Sequence, residues 1–137
     1  MSTRGRKPDL KVIEGGIDET PPAPAHFDAG MAAEWHAVVT DLTDRKLLTS
    51  TMLGSVEMYI MALENVRKAQ RAIDQHGVLV AGAEGALKPN PASGLLWRSQ
   101  AIVARLAAEL GLTPAARAKT VQQPPEEGND LFSLLDI

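Results

Sequence analysis

Residues 78–92, reading Val-Leu-Val-Ala-Gly-Ala-Glu-Gly-Ala-Leu-Lys-Pro-Asn-Pro-Ala, limit what this chain can fold into more than any other stretch. Long helical patterns flank it, and its glycines and prolines stop either pattern from running through. Gly77 suits the left-handed conformation that closes a helix. Val78, Leu79 and Val80 favour an extended run, because β-branched side chains fit a pleated backbone. Gly82 and Gly85 supply a turn, and Ala86, Leu87 and Lys88 can return beside the first arm as a small hairpin. Pro89 pushes Lys88 out of the helical region. Asn90 is a favourable N-cap, and Pro91 takes the first helical position, where its missing N–H costs nothing. Two readings of the stretch stand side by side: a plain helix connection with a β-wing, or a loop that touches a ligand.

The flanking patterns are helical. The first helix is expected to start at Asp28, whose carboxylate can cap the orphan N–H groups, and Met31, Trp35, Val38, Val39 and Leu42 recur on one apolar face. Trp35 reads as a core anchor and His36 as a surface residue. A second helix is expected from Thr49 or Ser50 to His76, roughly 40 Å at about 1.5 Å per residue. Its buried stripe is Met52, Val56, Tyr59, Ile60, Leu63, Val66 and Ile73. Glu64 and Lys68 are spaced as a favourable four-apart pair. Arg67, Lys68 and Arg71 form a modest basic cluster, which reads either as a solvated face or as a phosphate contact. His76 suits the C-terminal end of the helix dipole. The third helix is expected from Asn90 to Leu110, with Gly111 as its stop and a seam of Leu96, Ser99, Val103, Leu106 and Leu110. Ala101, Ala104, Ala107 and Ala108 leave its other surface small enough for a close neighbour. Thr113 then caps, and Pro114 opens, a short fourth helix to about Thr120.

A chain of 137 residues with 4% aromatics and much Ala and Leu fits one domain of closely packed helices. The domain boundaries follow from breakers and charge. Residues 1–27 are expected to be unstructured, because Gly5, Pro8, Gly15, Gly16, Pro21, Pro22 and Pro24 interrupt any periodicity. Residues 28–120 make the helical core. Residues 121–137 make a linker, through Gln122, Gln123, Pro124 and Pro125, followed by an apolar and acidic end. The net charge of −3 hides a segregation. Arg4, Arg6, Lys7 and Lys11 against Asp9 give the head a charge of +3, whereas Glu126, Glu127, Asp130 and Asp136 give the tail −4. Opposite ends suggest different partners. The head can lie along a phosphate backbone, releasing counterions, or it can simply keep the protein soluble. Leu131, Leu134 and Leu135 fall on one side of the tail if it is helical. Such a plug can dock into another protein's groove or fold back on its own core.

Catalytic and metal chemistry finds no foothold. His26, His36 and His76 fall on different elements without ligand spacing, and with no cysteine a thiolate site is excluded. Gly82-Ala83-Glu84-Gly85 lacks the lysine and hydroxyl of a phosphate-binding loop. Ser93 beside Gly94 has no credible histidine or acid partner. No apolar run approaches the roughly 20 residues that span a bilayer, and the basic N-terminus lacks the apolar segment of a signal peptide. The residues therefore point to a small helical adaptor that oligomerises, not an enzyme, with no cofactor and no membrane partner.

Several short motifs occur in order: Gly5-Arg6-Lys7-Pro8, Pro21-Pro22-Ala23-Pro24, the Trp35 helix, Lys88-Pro89-Asn90-Pro91, and Glu109-Leu110-Gly111-Leu112-Thr113-Pro114 with Arg117. In this order and spacing the chain, over about residues 4–120, resembles a terminase small subunit of tailed double-stranded DNA phages, or of a prophage-derived relative such as a gene transfer agent. The resemblance implies a non-catalytic subunit, working in the cytoplasm of the bacterial host, that recognises double-stranded DNA. It also implies assembly as a cyclic homo-oligomer and recruitment of the large subunit, which carries the ATPase and nuclease. The basic head and Arg67, Lys68 and Arg71 are then candidates for DNA. Leu131, Phe132, Leu134 and Leu135 are candidates for the large subunit, and Lys88-Pro89-Asn90-Pro91 is a family motif. One departure is the lack of a helix-turn-helix with a recognition helix rich in Arg, Asn and Gln, so DNA contact through the head or by many weak contacts around a ring is favoured. The expected fold is all-α, with an antiparallel core of the second and third helices, a short C-terminal helix, a small β-hairpin, disordered termini and ring-forming faces. A DNA-binding transcriptional regulator with no packaging role is the rival class, and a structural virion or scaffold protein is a third.

Overall fold

The computed structural model describes residues 16, 17 and 19–121. The chain folds into helix α1 (Ala29–Asp44), a 3₁₀ turn (Ser50–Met52), α2 (Leu53–His76), strands β1 (Leu79–Ala81) and β2 (Leu87–Pro89), α3 (Pro91–Glu109) and α4 (Pro114–Val121). It is mostly helical with one small antiparallel hairpin, as the periodicities require. The chain divides into two compact units, with the division after Ile60, inside α2.

The first unit is built on α1. Asp28 caps it, accepting from the Met31 N–H at 2.9 Å. Its apolar stripe places Trp35, Val39 and Leu42 in a core completed by Leu48, Val56 and Ile60. The helix ends in a Schellman motif. The Leu47 N–H returns to the Leu42 carbonyl at 2.9 Å, and Lys46 takes φ +56° at the position glycine usually fills.

Two expectations change here. The second helix does not open as α-helix at Thr49 or Ser50: the Met52 N–H bonds the Thr49 carbonyl in a tighter 3₁₀ turn, with the Thr49 and Thr51 hydroxyls 3.0 Å apart, and α2 proper starts at Leu53. The Pro-rich approach is not wholly unstructured. Gly16 bridges Thr49, the Ile17 N–H donates to the Leu48 carbonyl at 3.0 Å, and the Trp35 indole N–H donates to the Pro21 carbonyl at 3.0 Å. Prolines cannot donate, but their carbonyls accept, and a buried indole needs an acceptor.

The second unit holds the rest of α2, the hairpin, α3 and α4. Ala62 and Ala69 of α2 are buried, as are Leu96, Ser99 and Leu106 of α3 and its C-cap Leu110. These α3 positions follow the seam read from the sequence. Gly77 closes α2 at φ +86°, its N–H on the Ile73 carbonyl at 2.7 Å. β1 and β2 pair antiparallel, with Leu79 opposite Pro89, Val80 opposite Lys88 and Ala81 opposite Leu87. Residues 83–85 turn between them as a tight loop, with Gly85 at φ +76°. Gly111 ends α3 in a second Schellman motif, and the Thr113 hydroxyl caps α4 by accepting from the Ala116 N–H at 3.1 Å.

Candidate functional site

Asn90 organises the junction between α2, the hairpin and α3. It is 7% exposed, and all its bonding groups are used locally. Its N–H donates to the Val78 carbonyl at 2.8 Å, extending the strand pairing towards the hairpin base. Its amide nitrogen donates to the Gly77 carbonyl at 2.8 Å, and its amide oxygen accepts from the Ala92 N–H at 3.0 Å as the α3 N-cap. The Lys88-Pro89-Asn90-Pro91 motif is therefore an architectural clasp. Lys88 sits on β2 with its side chain exposed, Pro89 ends the strand, Asn90 ties the base, and Pro91 opens the helix.

The clasp presents an apolar surface to solvent. Leu79 is 54% exposed and Leu87 is 70% exposed, and Val78 beside them is 63% exposed. Trp97, in the second turn of α3, is 71% exposed, and the neighbouring Arg98 lays its guanidinium against Gly94. The sequence marked the hairpin, but alternation in strands of three residues was too short to show that its apolar face looks outward.

The basic cluster of α2 is less cationic than its sequence. Glu64 engages Arg67 and Arg71 rather than Lys68: its carboxylate lies 3.3 Å from the Arg71 guanidinium and 3.9 Å from that of Arg67. Arginine's longer fork reaches one and two turns along the helix to a carboxylate that is only 17% exposed. Gln70 donates to Asp74 at 2.9 Å on the same helix. A phosphate would have to compete with Glu64 for both guanidinium groups, while Lys68 stays exposed.

Arg4, Arg6, Lys7 and Lys11 of the head, and Leu131, Phe132, Leu134 and Leu135 of the tail, lie outside the described residues. Among the described residues, no group of three or more His, Asp or Glu side chains could hold a metal ion, and no helix is long and apolar enough to cross a membrane.

These features define a mostly helical protein whose most elaborated junction, among the described residues, is a clasped hairpin. The model of the phage terminase small subunit family matches residues 32–127, and the chain belongs to that family. Comparison with curated proteins and with solved structures returned no match. The matched stretch includes the clasp and both Schellman motifs, and leaves out Gly5-Arg6-Lys7-Pro8, the Pro-rich approach and the apolar end of the tail.

Proposed function

We propose that this chain is the DNA-recognition and adaptor subunit of a viral genome-packaging motor, acting in the cytoplasm of the bacterial host as a cyclic homo-oligomer. The family match over residues 32–127 carries this reading. The head, through Arg4, Arg6, Lys7 and Lys11, meets double-stranded DNA. Lys68 adds to that contact, and Arg67 and Arg71 do so only where phosphate displaces Glu64, so the head is the principal DNA element. The tail, through Leu131, Phe132, Leu134 and Leu135, binds the large ATPase and nuclease subunit. In this reading α2 and α3 pack as the antiparallel core of each subunit, which the burial of Ala62 and Ala69 on α2 and of Leu96, Ser99 and Leu106 on α3 supports. The family is generally non-catalytic, and the chemistry of the packaging reaction belongs to the large subunit.

The charge segregation supports two separate contacts at opposite ends of the chain. Deleting residues 128–137 tests the assignment of the tail. The truncated protein should keep its native mass and lose capture of the large subunit in a pull-down; capture at the full-length level would overturn this docking role.

A further inference from the structure

The register of the hairpin puts Leu79, Ala81, Leu87 and Pro89 on one face, and Val80 and Lys88 on the other. The first face is wholly apolar, and all four of its residues are exposed. A two-stranded hairpin with strands this short is marginal by itself in water. Here it is fixed at its base by the three bonds of Asn90, so a rigid support holds an uncovered apolar face outward. The tip carries Glu84, also exposed. A carboxylate there repels a phosphate backbone, which argues against DNA as the occupant.

A second surface on the same chain complements the first. Met61, Asn65 and Lys68 follow three-four spacing along α2, and all are exposed. Met61 is 42% exposed, so the stripe is apolar at one end and cationic at the other. The dimensions agree. Met61 to Lys68 spans about 10 Å along a helix, and the hairpin from the Leu79–Pro89 pair to its turn at Gly82 spans about 10 Å along the strands. Laid together, the Leu79 and Leu87 face lies over Met61, while Glu84 at the tip reaches Lys68. Methionine's unbranched side chain adapts to such a contact.

We propose that the hairpin face of one copy docks on the Met61–Asn65–Lys68 stripe of a second copy of this chain. The contact uses two different surfaces, so each copy offers its hairpin to one neighbour and its α2 stripe to another, and the arrangement closes into a ring where the rotation allows. This interface rests on the homo-oligomer reading above and names the surfaces that would make it.

Native mass spectrometry and sedimentation of the full-length protein test it. Leu87→Asp should shift the protein to monomer, with helical circular dichroism unchanged because Leu87 is exposed. Glu84→Lys and Lys68→Glu should each raise the concentration for half-assembly about threefold to tenfold, in keeping with an exposed charge pair. Mixing these two variants in equal amounts should restore assembly, since hairpins of one variant then meet an opposite charge on the other. A wild-type protein that is monomeric at all concentrations would overturn the oligomer reading itself. An assembled wild type whose Leu87→Asp variant assembles equally well would overturn this interface alone, as would a mixture that fails to recover.

Discussion

The side-chain amide of Asn90 donates to the carbonyl of Gly77 at 2.8 Å, so one residue joins the end of α2 to the start of α3 across the whole hairpin. The same side chain caps α3, and the two roles use opposite ends of one amide. This gives a graded prediction. Asn90→Ala removes the cap and leaves a carbonyl without its partner, and should cost about 2–4 kcal/mol in denaturant unfolding. Asn90→Ser keeps an N-cap acceptor but does not reach Gly77, and should cost about 1–2 kcal/mol. Equal losses for the two would mean that the N-cap acceptor retained by serine contributes nothing.

Lys46 holds φ +56° at the end of α1, where a side chain crowds the backbone. Glycine relieves that crowding at some cost in unfolded-state entropy. Lys46→Gly should therefore stabilise the protein by about 0.5–1 kcal/mol, seen as a rise in melting temperature. A fall would show that Lys46 makes a compensating contact.

DNA binding should separate the two basic regions. Replacing Arg4, Arg6, Lys7 and Lys11 with alanine should weaken binding and flatten its salt dependence, by up to about 0.9 in logarithmic slope for each phosphate that is no longer neutralised. Replacing Arg67 and Arg71 should change the slope far less, because Glu64 already engages both. Titrations at several salt concentrations measure both slopes, and the reverse ranking would move the DNA-binding surface to α2.

Local chemistry was legible in the sequence and tertiary choices were not. Asp28, Asn90 and Thr113 cap the helices that follow them, and Gly77 and Gly111 close the helices before them, because each effect is decided within one turn of chain. The left-handed backbone of Lys46 has no such signal, since nothing in a lysine side chain advertises it; the Leu47–Leu42 bond imposes it. For Glu64, spacing alone ranks Lys68 first as a partner, whereas arginine's reach decides the outcome. The tie between Ile17 and Leu48 joins segments far apart in sequence, and no periodicity reports it. At the candidate site, the cap role of Asn90 could be read directly. Its bond to Gly77 could not, since that depends on the hairpin bringing positions 77 and 90 together.

The bridge between Gly16 and Thr49 has a geometric consequence for the head. It fixes a point from which the chain runs back towards Arg4. A polypeptide extends at most about 3.6 Å per residue, so Arg4 can lie no farther than about 43 Å from that point in any conformation. Along a duplex rising about 3.4 Å per base pair, this is a leash of roughly a dozen base pairs. If the head meets DNA as proposed, the stretch of duplex within reach of one subunit's Arg4 is bounded by its distance along the chain from Gly16.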